Sequence, residues 1–109
     1  MYKRGDIVVI PVPFSDLSSS KIRPVLIISS DEYNELTDDI IVMAITSNIT
    51  SKKYCVHITE TEEGELPEKS QIRTDKVYTL AKSIIKKKIC GVTENTLTIA
   101  VDLFNEVIR

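Results

Sequence analysis

An arginine followed by a proline is the pair of residues in this chain best suited to holding an anion. Arg23 and Pro24 follow a polar loop of small residues and directly precede the apolar run Val25 to Ser29. Proline lacks an N–H and biases the preceding residue toward extended backbone angles, so we expect a fixed Arg23 main chain whose guanidinium points clear of the strand. A fixed guanidinium presents a bidentate fork to phosphate or carboxylate oxygens. Pairing with Asp16 or with a helix end is the alternative role for Arg23.

Two further segments carry polar side chains that could bind a ligand. Thr46 and Ser47 end a buried apolar run, where the predicted strand leaves the core. Gln71 and Arg73 are two residues apart in a later segment, so a strand there would turn both toward one face. Ordinary strand-end and sheet-pairing roles are the alternatives for these residues.

The histidine and the cysteines favour structural roles. His57 lies mid-strand beside Val56 and Ile58, which favours a structural histidine over a catalytic one. Cys55 and Cys90 are 35 positions apart without CxxC spacing, and a single histidine cannot complete a zinc site with them. Two buried free thiols are the favoured interpretation, and a disulfide is the alternative.

Composition indicates one globular domain spanning residues 1–109. Of these residues, 42% are hydrophobic and 28% are charged, which suits a chain with an adequate core. Because the start of the chain is charged and no apolar run reaches about 18 residues, we expect neither a signal peptide nor a membrane span. These features predict a cytoplasmic protein.

Charge is segregated along the chain although the net charge is only −2. Residues 31–68 contain ten acidic side chains against Lys52 and Lys53, while the segments on either side are both net positive. A polyanionic partner would therefore dock on the N- and C-terminal segments together, away from the acidic middle. A solvated surface is the alternative explanation, and it also suits the lysines at 86–88, which are otherwise candidates for holding a nucleic-acid backbone.

The hydrophobic pattern predicts mostly strands. We expect strands at 6–13, 25–29, 40–45, 54–58, 70–80 and 88–92, a loop with no more than one helical turn at 31–36, an acidic turn at 62–69 and a short helix or turn from Ser83. Thr93 is a good N-cap for a final helix, on which Leu97, Ala100, Val101, Phe104 and Ile108 share one face. The predicted fold class is α+β: a small, strongly bent antiparallel β-sheet or SH3-like barrel with a C-terminal helix packed at its side.

Three features, taken in order, resemble the MazF/PemK family of toxin endoribonucleases. They are the charged start Lys3 to Val8, the Arg23-Pro24 strand followed by Ala44-Ile45-Thr46-Ser47, and Gln71-Ile72-Arg73-Thr74 before a basic segment and the terminal helix. The resemblance covers nearly the whole chain. The chain departs from the family pattern at residues 66–70, before Gln71, and in the serine-rich loop at 18–20, which lacks glycines.

The resemblance implies a type II toxin that cleaves single-stranded RNA without a metal or other cofactor. It maps the family's catalytic arginine and threonine onto Arg23 and Thr46. It also nominates Ser20, Lys21, Ser47, Gln71 and Arg73 as RNA-binding residues. The implied products are 2′,3′-cyclic phosphate and 5′-hydroxyl ends, and the implied effect is inhibition of translation and growth.

The same resemblance implies two protein partners. The toxin would form a homodimer, with the C-terminal helix and the Gln71 strand as candidate contacts, and a cognate acidic antitoxin would fold onto its basic groove. The alternative function is a non-catalytic protein of the same fold that binds a protein target such as gyrase. A third possibility is an interaction module whose one partner is an antitoxin.

Overall fold

A curled antiparallel sheet forms the body of the protein. The structure, a computed structural model, describes residues 2–13 and 20–109. In chain order its elements are β1 (Asp6–Pro13), β2 (Ser20–Ile27), α1 (Asp31–Leu36), β3 (Asp39–Thr46), β4 (Cys55–His57), β5 (Thr61–Glu62), β6 (Gln71–Ala81), a 3₁₀ turn (Lys82–Ile84), β7 (Lys87–Val92) and α2 (Glu94–Ile108). The seven strands form one sheet in the order β4-β6-β3-β2-β1-β7-β5, with antiparallel neighbours throughout. This confirms the predicted bent antiparallel sheet with a C-terminal helix.

The hairpin of β1 and β2 is longer than the sequence suggested. We expected a polar loop as far as Pro24, yet β2 begins at Ser20 and pairs with β1 from Pro13↔Ser20 to Ile7↔Leu26. The ladder overrides the weak strand propensity of Ser20 and Lys21 because β1 supplies a continuous partner strand. Arg23 therefore lies inside a strand rather than at its threshold.

Two further elements differ from the prediction. Residues 31–36 form an α-helix rather than a loop, since Ser30 caps it by accepting a hydrogen bond from the Tyr33 N–H. The acidic turn after β4 contains the short edge strand β5, which pairs with β7. The final helix begins after Thr93 as predicted, but Ile108 is 64% exposed and does not join the apolar face.

The core lies on both faces of the sheet. A first core cluster consists of Ile7, Leu26, Met43, Ile45, Ile72, Cys90, Val92, Leu97 and Ala100, so it includes residues of α2. A second core cluster on the opposite face consists of Val8, Ile10, Val25, Ile27, Ile40 and Val42, with the side chains of Leu80, Ile84 and Ile85 packed against it. Alternate residues of β1, β2 and β3 thus enter different clusters, as the pleat requires.

Both cysteines are free thiols. Cys90 is buried as expected, and burial raises the pKa of its thiol. Cys55 is only half-buried, because it lies on the edge strand β4. No helix in the described part of the chain has the length and apolar character needed to cross a membrane.

A buried polar network ties β2, α1 and β3 together. The Ser29 hydroxyl donates to Asn34 Oδ1, and Asn34 Nδ2 donates to the Ser29 carbonyl at 3.1 Å. The Ser29 hydroxyl also accepts the Ile41 N–H at 3.0 Å, and Lys82 Nζ donates to the Asn34 carbonyl at 2.6 Å. Asn34 is therefore buried with its carboxamide fully engaged by Ser29, while its main-chain carbonyl accepts from Lys82.

We expect Asn34→Ala to destabilise the fold. The substitution leaves the buried Ser29 groups without their side-chain partner, which costs about 1–3 kcal/mol. For a domain of this size the melting temperature falls by about 4–8 °C per kcal/mol. Calorimetry checks this, with the exposed Asn105→Ala in α2 as the matched control. A melting temperature of Asn34→Ala equal to that of the control would contradict the role of the network.

A surface ion-pair network joins β1, the turn after β5, and β7. Lys88 Nζ lies 3.1 Å from Asp6 Oδ1 and 2.9 Å from Glu63 Oε1. The hydrogen bond from Lys88 and its positive charge lower the pKa of the Glu63 carboxyl. Lys88 is thus engaged in ion pairs rather than being a simple solvated cation.

The lowered pKa of Glu63 predicts a pH-dependent contribution to stability. A depressed carboxyl pKa stabilises the fold above the unfolded value of about 4.3, and this stabilisation is lost as pH falls through the folded pKa. We expect Glu63→Gln to melt slightly below the wild type at pH 7 and low salt, with the difference vanishing toward pH 3. Glu65→Gln removes a carboxylate from the same turn and controls for net charge. A difference that stays constant between pH 7 and pH 3 would disprove the linkage.

Candidate active site

Arg23 is the fourth residue of β2 and pairs with Ile10 of β1. Arg23 is half-buried, and its Nε atom is fully buried. Because side chains alternate along a strand, Arg23 points to the same face as Val25, two residues on. That face carries the second core cluster, so the guanidinium stands at the end of an apolar strip where solvent screening is reduced.

Thr46 is the last residue of β3 and pairs with Gln71 of β6. Its hydroxyl oxygen accepts the Asn48 N–H at 3.1 Å. This bond uses a lone pair of the oxygen rather than the hydroxyl proton. Thr46 is therefore held by the turn that follows it, in a form that can donate to an anion.

The register of β2 and β3 puts Arg23 and Thr46 on one face at one end of the sheet. Val25 pairs with Ala44 across β2 and β3. Arg23 lies two residues before Val25, and Thr46 lies two residues after Ala44, so both follow the same face in the same direction. The sequence predicted these two residues separately, and the sheet brings them to neighbouring strands.

The same face continues across β6 and β4. Gln71 pairs with Thr46 and with His57, and Arg73 pairs with Ala44 and Cys55. Residues directly opposite in an antiparallel pair share a face. The predicted residues Arg23, Thr46, Gln71 and Arg73 thus belong to one surface, which we call the site face.

Gln71 is fully buried, and its carboxamide is engaged within the protein. Its side chain lies within 3.1–3.3 Å of both the main-chain nitrogen and the hydroxyl of Thr50. The Thr50 hydroxyl in turn lies 4.0 Å from the Cys55 sulfur. Gln71 therefore supports the segment after Thr46, and this contact across 21 positions of sequence had no signal in the sequence pattern.

Arg73 lies at the start of a three-residue bulge in β6. Ala44 pairs with Arg73 while its neighbour Met43 pairs with Val77, so residues 74–76 are extra on the β6 side. The Arg73 guanidinium makes two hydrogen bonds to Asp75, at 3.2 and 3.3 Å. These bonds lower the pKa of the Asp75 carboxyl and raise the pKa of Arg73. The guanidinium is thereby held in one place on the site face.

A cleft opens beside Arg23 at this end of the sheet. Its volume is about 510 Å³, and Arg23 and Ser47 are among its polar lining residues. The lining is otherwise mostly apolar and includes Pro24, Ile45 and Leu66. Ile45 belongs to the first core cluster and Leu66 packs against it, so the cleft opens on the face opposite to the site face, with Arg23 at its edge. Ser47 is exposed, so the structure places this predicted RNA-binding residue at the rim of a cleft shared with Arg23.

Other nominated residues are less closely tied to this surface. Ser20 and Lys21 are the first two residues of β2, opposite Pro13 and Val12. Asp16, offered as an alternative partner of Arg23, lies outside the described residues, as does most of the serine-rich loop.

His57 lies on the outward side of β4. Val56 packs against the first core cluster, whereas His57 is exposed. The preference for a structural over a catalytic role stays a prediction. The alternation of Cys55 and His57 with Val56 was the sequence signal for this outward orientation. Within residues 2–13 and 20–109, no group of three or more His, Cys, Asp or Glu side chains is arranged to hold a metal ion.

Comparison with known proteins gives one consistent family. The family model described as PemK-like, MazF-like toxin of type II toxin-antitoxin system matches residues 3–108. A Staphylococcus epidermidis protein named Endoribonuclease MazF is 32% identical over 99 residues, which cover 89% of this chain and 82% of that protein. A Staphylococcus saprophyticus protein of the same name is 30% identical with the same coverage.

Solved structures share the fold at low sequence identity. A mycobacterial endoribonuclease in complex with its cognate antitoxin superposes with a TM-score of 0.83 at 18% identity, covering 99% of this chain and 95% of the other. A MazE–MazF structure from Deinococcus radiodurans gives 0.78 at 16% identity, with 98% and 95% covered. The model match and the staphylococcal relatives confirm the predicted family: this chain belongs to the PemK-like, MazF-like toxins of type II toxin–antitoxin systems.

Proposed function

We propose that this chain is a toxin endoribonuclease that cleaves single-stranded RNA at the end of the site face where Arg23 and Thr46 lie. The observation that carries the proposal is their shared face on neighbouring strands, fixed by the Val25↔Ala44 pair. Family membership and the relatives named as endoribonucleases support the same activity. They favour it over a gyrase-binding role for the same fold.

The chemistry uses a nucleophile that the RNA itself carries. The 2′-oxygen attacks the adjacent phosphorus, the bond from phosphorus to the 5′-oxygen breaks, and the products are a 2′,3′-cyclic phosphate and a 5′-hydroxyl. One proton leaves the 2′-hydroxyl and one reaches the 5′-oxygen. The protein accelerates this in-line displacement by holding the phosphate and stabilising its added charge. This reaction does not require a metal ion to generate a nucleophile.

Arg23 and Thr46 have complementary roles in this proposal. Arginine stays protonated in proteins, so Arg23 stabilises charge on the non-bridging oxygens, which grows in the transition state. Thr46 donates its hydroxyl to the phosphate and orients it, since a threonine without an adjacent base is a poor general base. Ser47, directly after Thr46, and Arg73, on the site face, extend the RNA contact. Ser20 and Lys21 precede Arg23 in β2 and remain proposed contacts.

We expect Arg23→Ala to lower the rate of RNA cleavage about 10²–10³-fold, as for the loss of a transition-state donor. Thr46→Val should also lower it strongly, whereas Thr46→Ser keeps the hydroxyl and most of the activity. The assay incubates a long single-stranded RNA with EDTA and maps fragment ends by direct kinase labelling of 5′-hydroxyls.

Two exposed residues supply matched controls for this assay. Arg109→Ala and Thr98→Val change the same side-chain types away from the site face and should cleave as the wild type does. Cleavage by folded Arg23→Ala at the wild-type rate would disprove the assigned role. Intact RNA with folded wild-type protein, across RNAs of varied sequence, would instead favour a protein target.

We further propose a cytoplasmic homodimer held by an acidic antitoxin until it is released. Exposed apolar side chains on β6 and α2, among them Tyr78, Ile99 and Val107, support an interface between copies. The apolar cleft beside Arg23 suits an antitoxin segment that carries apolar and acidic side chains. Such a segment would lie against Arg23 at the edge of the cleft and hinder RNA from binding there.

The dimer proposal predicts a solution mass of twice 12.3 kDa. Sedimentation equilibrium at micromolar concentration measures it directly. Tyr78→Glu places a charge on the proposed interface and should shift the equilibrium toward monomer, while Glu60→Gln, at an exposed polar site, should not. A wild-type mass of 12.3 kDa at all concentrations would exclude the homodimer.

A further inference from the structure

The segment between β3 and β4 crosses over β6. Strands β3 and β4 flank β6 and both run antiparallel to it, so they are parallel to each other and their connection must pass over one face of β6. It passes over the site face, because the Gln71 side chain on that face contacts Thr50. We call residues 47–54 the crossover.

Two fully buried side chains of β6 hold the crossover. Near its start, the Gln71 carboxamide contacts the Thr50 main chain and hydroxyl. At its end, the Thr74 hydroxyl donates to the Tyr54 carbonyl at 2.7 Å, and the Thr74 N–H donates to the same oxygen at 3.0 Å. Buried polar side chains satisfied in this way fix one conformation. The crossover is therefore held by the sheet beneath it.

The crossover begins directly after Thr46, and most of its exposed residues are polar. Its exposed residues are Ser47, Asn48, Ile49, Ser51, Lys52 and Lys53. Lys52 and Lys53 are the basic residues within the acidic middle of the chain. A displacement of Thr50 would move Thr46 and Ser47 with it, because the Asn48 N–H is bonded to the Thr46 hydroxyl.

We propose that Gln71 is a positioning residue that acts through Thr50: it fixes the crossover, and thereby the placement of Thr46 and the choice of RNA sequences that are cut. This inference rests on the proposed endoribonuclease function and assigns Gln71 no direct contact with RNA. The inference is supported by the full burial of the Gln71 side chain and by its two contacts to Thr50. A displacement of about 1 Å in a catalytic group can cost about a hundredfold in rate, so a loosened crossover reaches the chemistry.

The test is a double-mutant cycle on RNA cleavage. Gln71→Leu removes both contacts, and Thr50→Val removes the one to the hydroxyl while keeping the main-chain N–H. We expect Gln71→Leu to lower kcat about ten- to a hundredfold and to flatten the distribution of cleavage sites on a long RNA. Thr50→Val should change both in the same direction and less, Thr50→Ser should restore wild-type behaviour, and the double variant should be no worse than Gln71→Leu.

Asn34→Ala is the control for simple loss of stability. It removes a buried amide near the beginning of β3, at the other end of that strand from the crossover, and should leave the cleavage-site distribution unchanged at temperatures where it is folded. If Gln71→Leu does not fold, Thr50→Val and Thr50→Ser carry the test, because Thr50 lies outside the strands.

Two outcomes would overturn the inference. Additive effects of Gln71→Leu and Thr50→Val, with the Gln71 effect confined to KM, would indicate that Gln71 touches RNA directly. A wild-type cleavage pattern for folded Gln71→Leu would remove any positioning role. Absence of RNA cleavage by the wild type is a separate result, because it would refute the proposed function itself.

Discussion

The register between β2 and β3 is the constraint on which the candidate site depends. The Val25↔Ala44 pair sets both Arg23 and Thr46 on the site face. A slip of one residue would turn every side chain of one strand to the other face and separate the two groups. The register is strongly specified, because Val25 and Val42 enter one core cluster while Leu26 and Met43 enter the other. Burial of apolar side chains on both faces thus places the polar residues at the strand ends.

Local patterns in the sequence were sufficient for most of the fold. β1, the third strand and the N-cap of the final helix follow from alternation, apolar runs and a threonine at the right position. Arg23 and Thr46 were also identifiable, since each stands at the polar end of an apolar run. The start of β2 was not identifiable, because Ser20 and Lys21 have little strand propensity and join the strand through their pairing with β1.

Contacts between distant parts of the chain were beyond prediction. The Gln71 contact to Thr50 and the Thr74 contact to Tyr54 join residues about twenty positions apart, and neither pair has a distinctive pattern. The bulge of β6 was also not predicted, because residues 71–80 have the sequence pattern of one continuous alternating strand. The exposure of His57 follows from its alternation with Val56, and its two apolar neighbours in the sequence gave no indication of it.

The crossover is held by buried side chains of β6 beneath it. The residues that fix its conformation are therefore different from the residues that it exposes for recognition. Its conformation is held at Thr50 and Tyr54 by buried groups of β6, while Asn48, Ile49, Ser51 and the two lysines face solvent. The outward side chains are thus free to be exchanged without disturbing the core or the register. Substitutions at these outward positions would change what the crossover recognises with little effect on the free energy of unfolding.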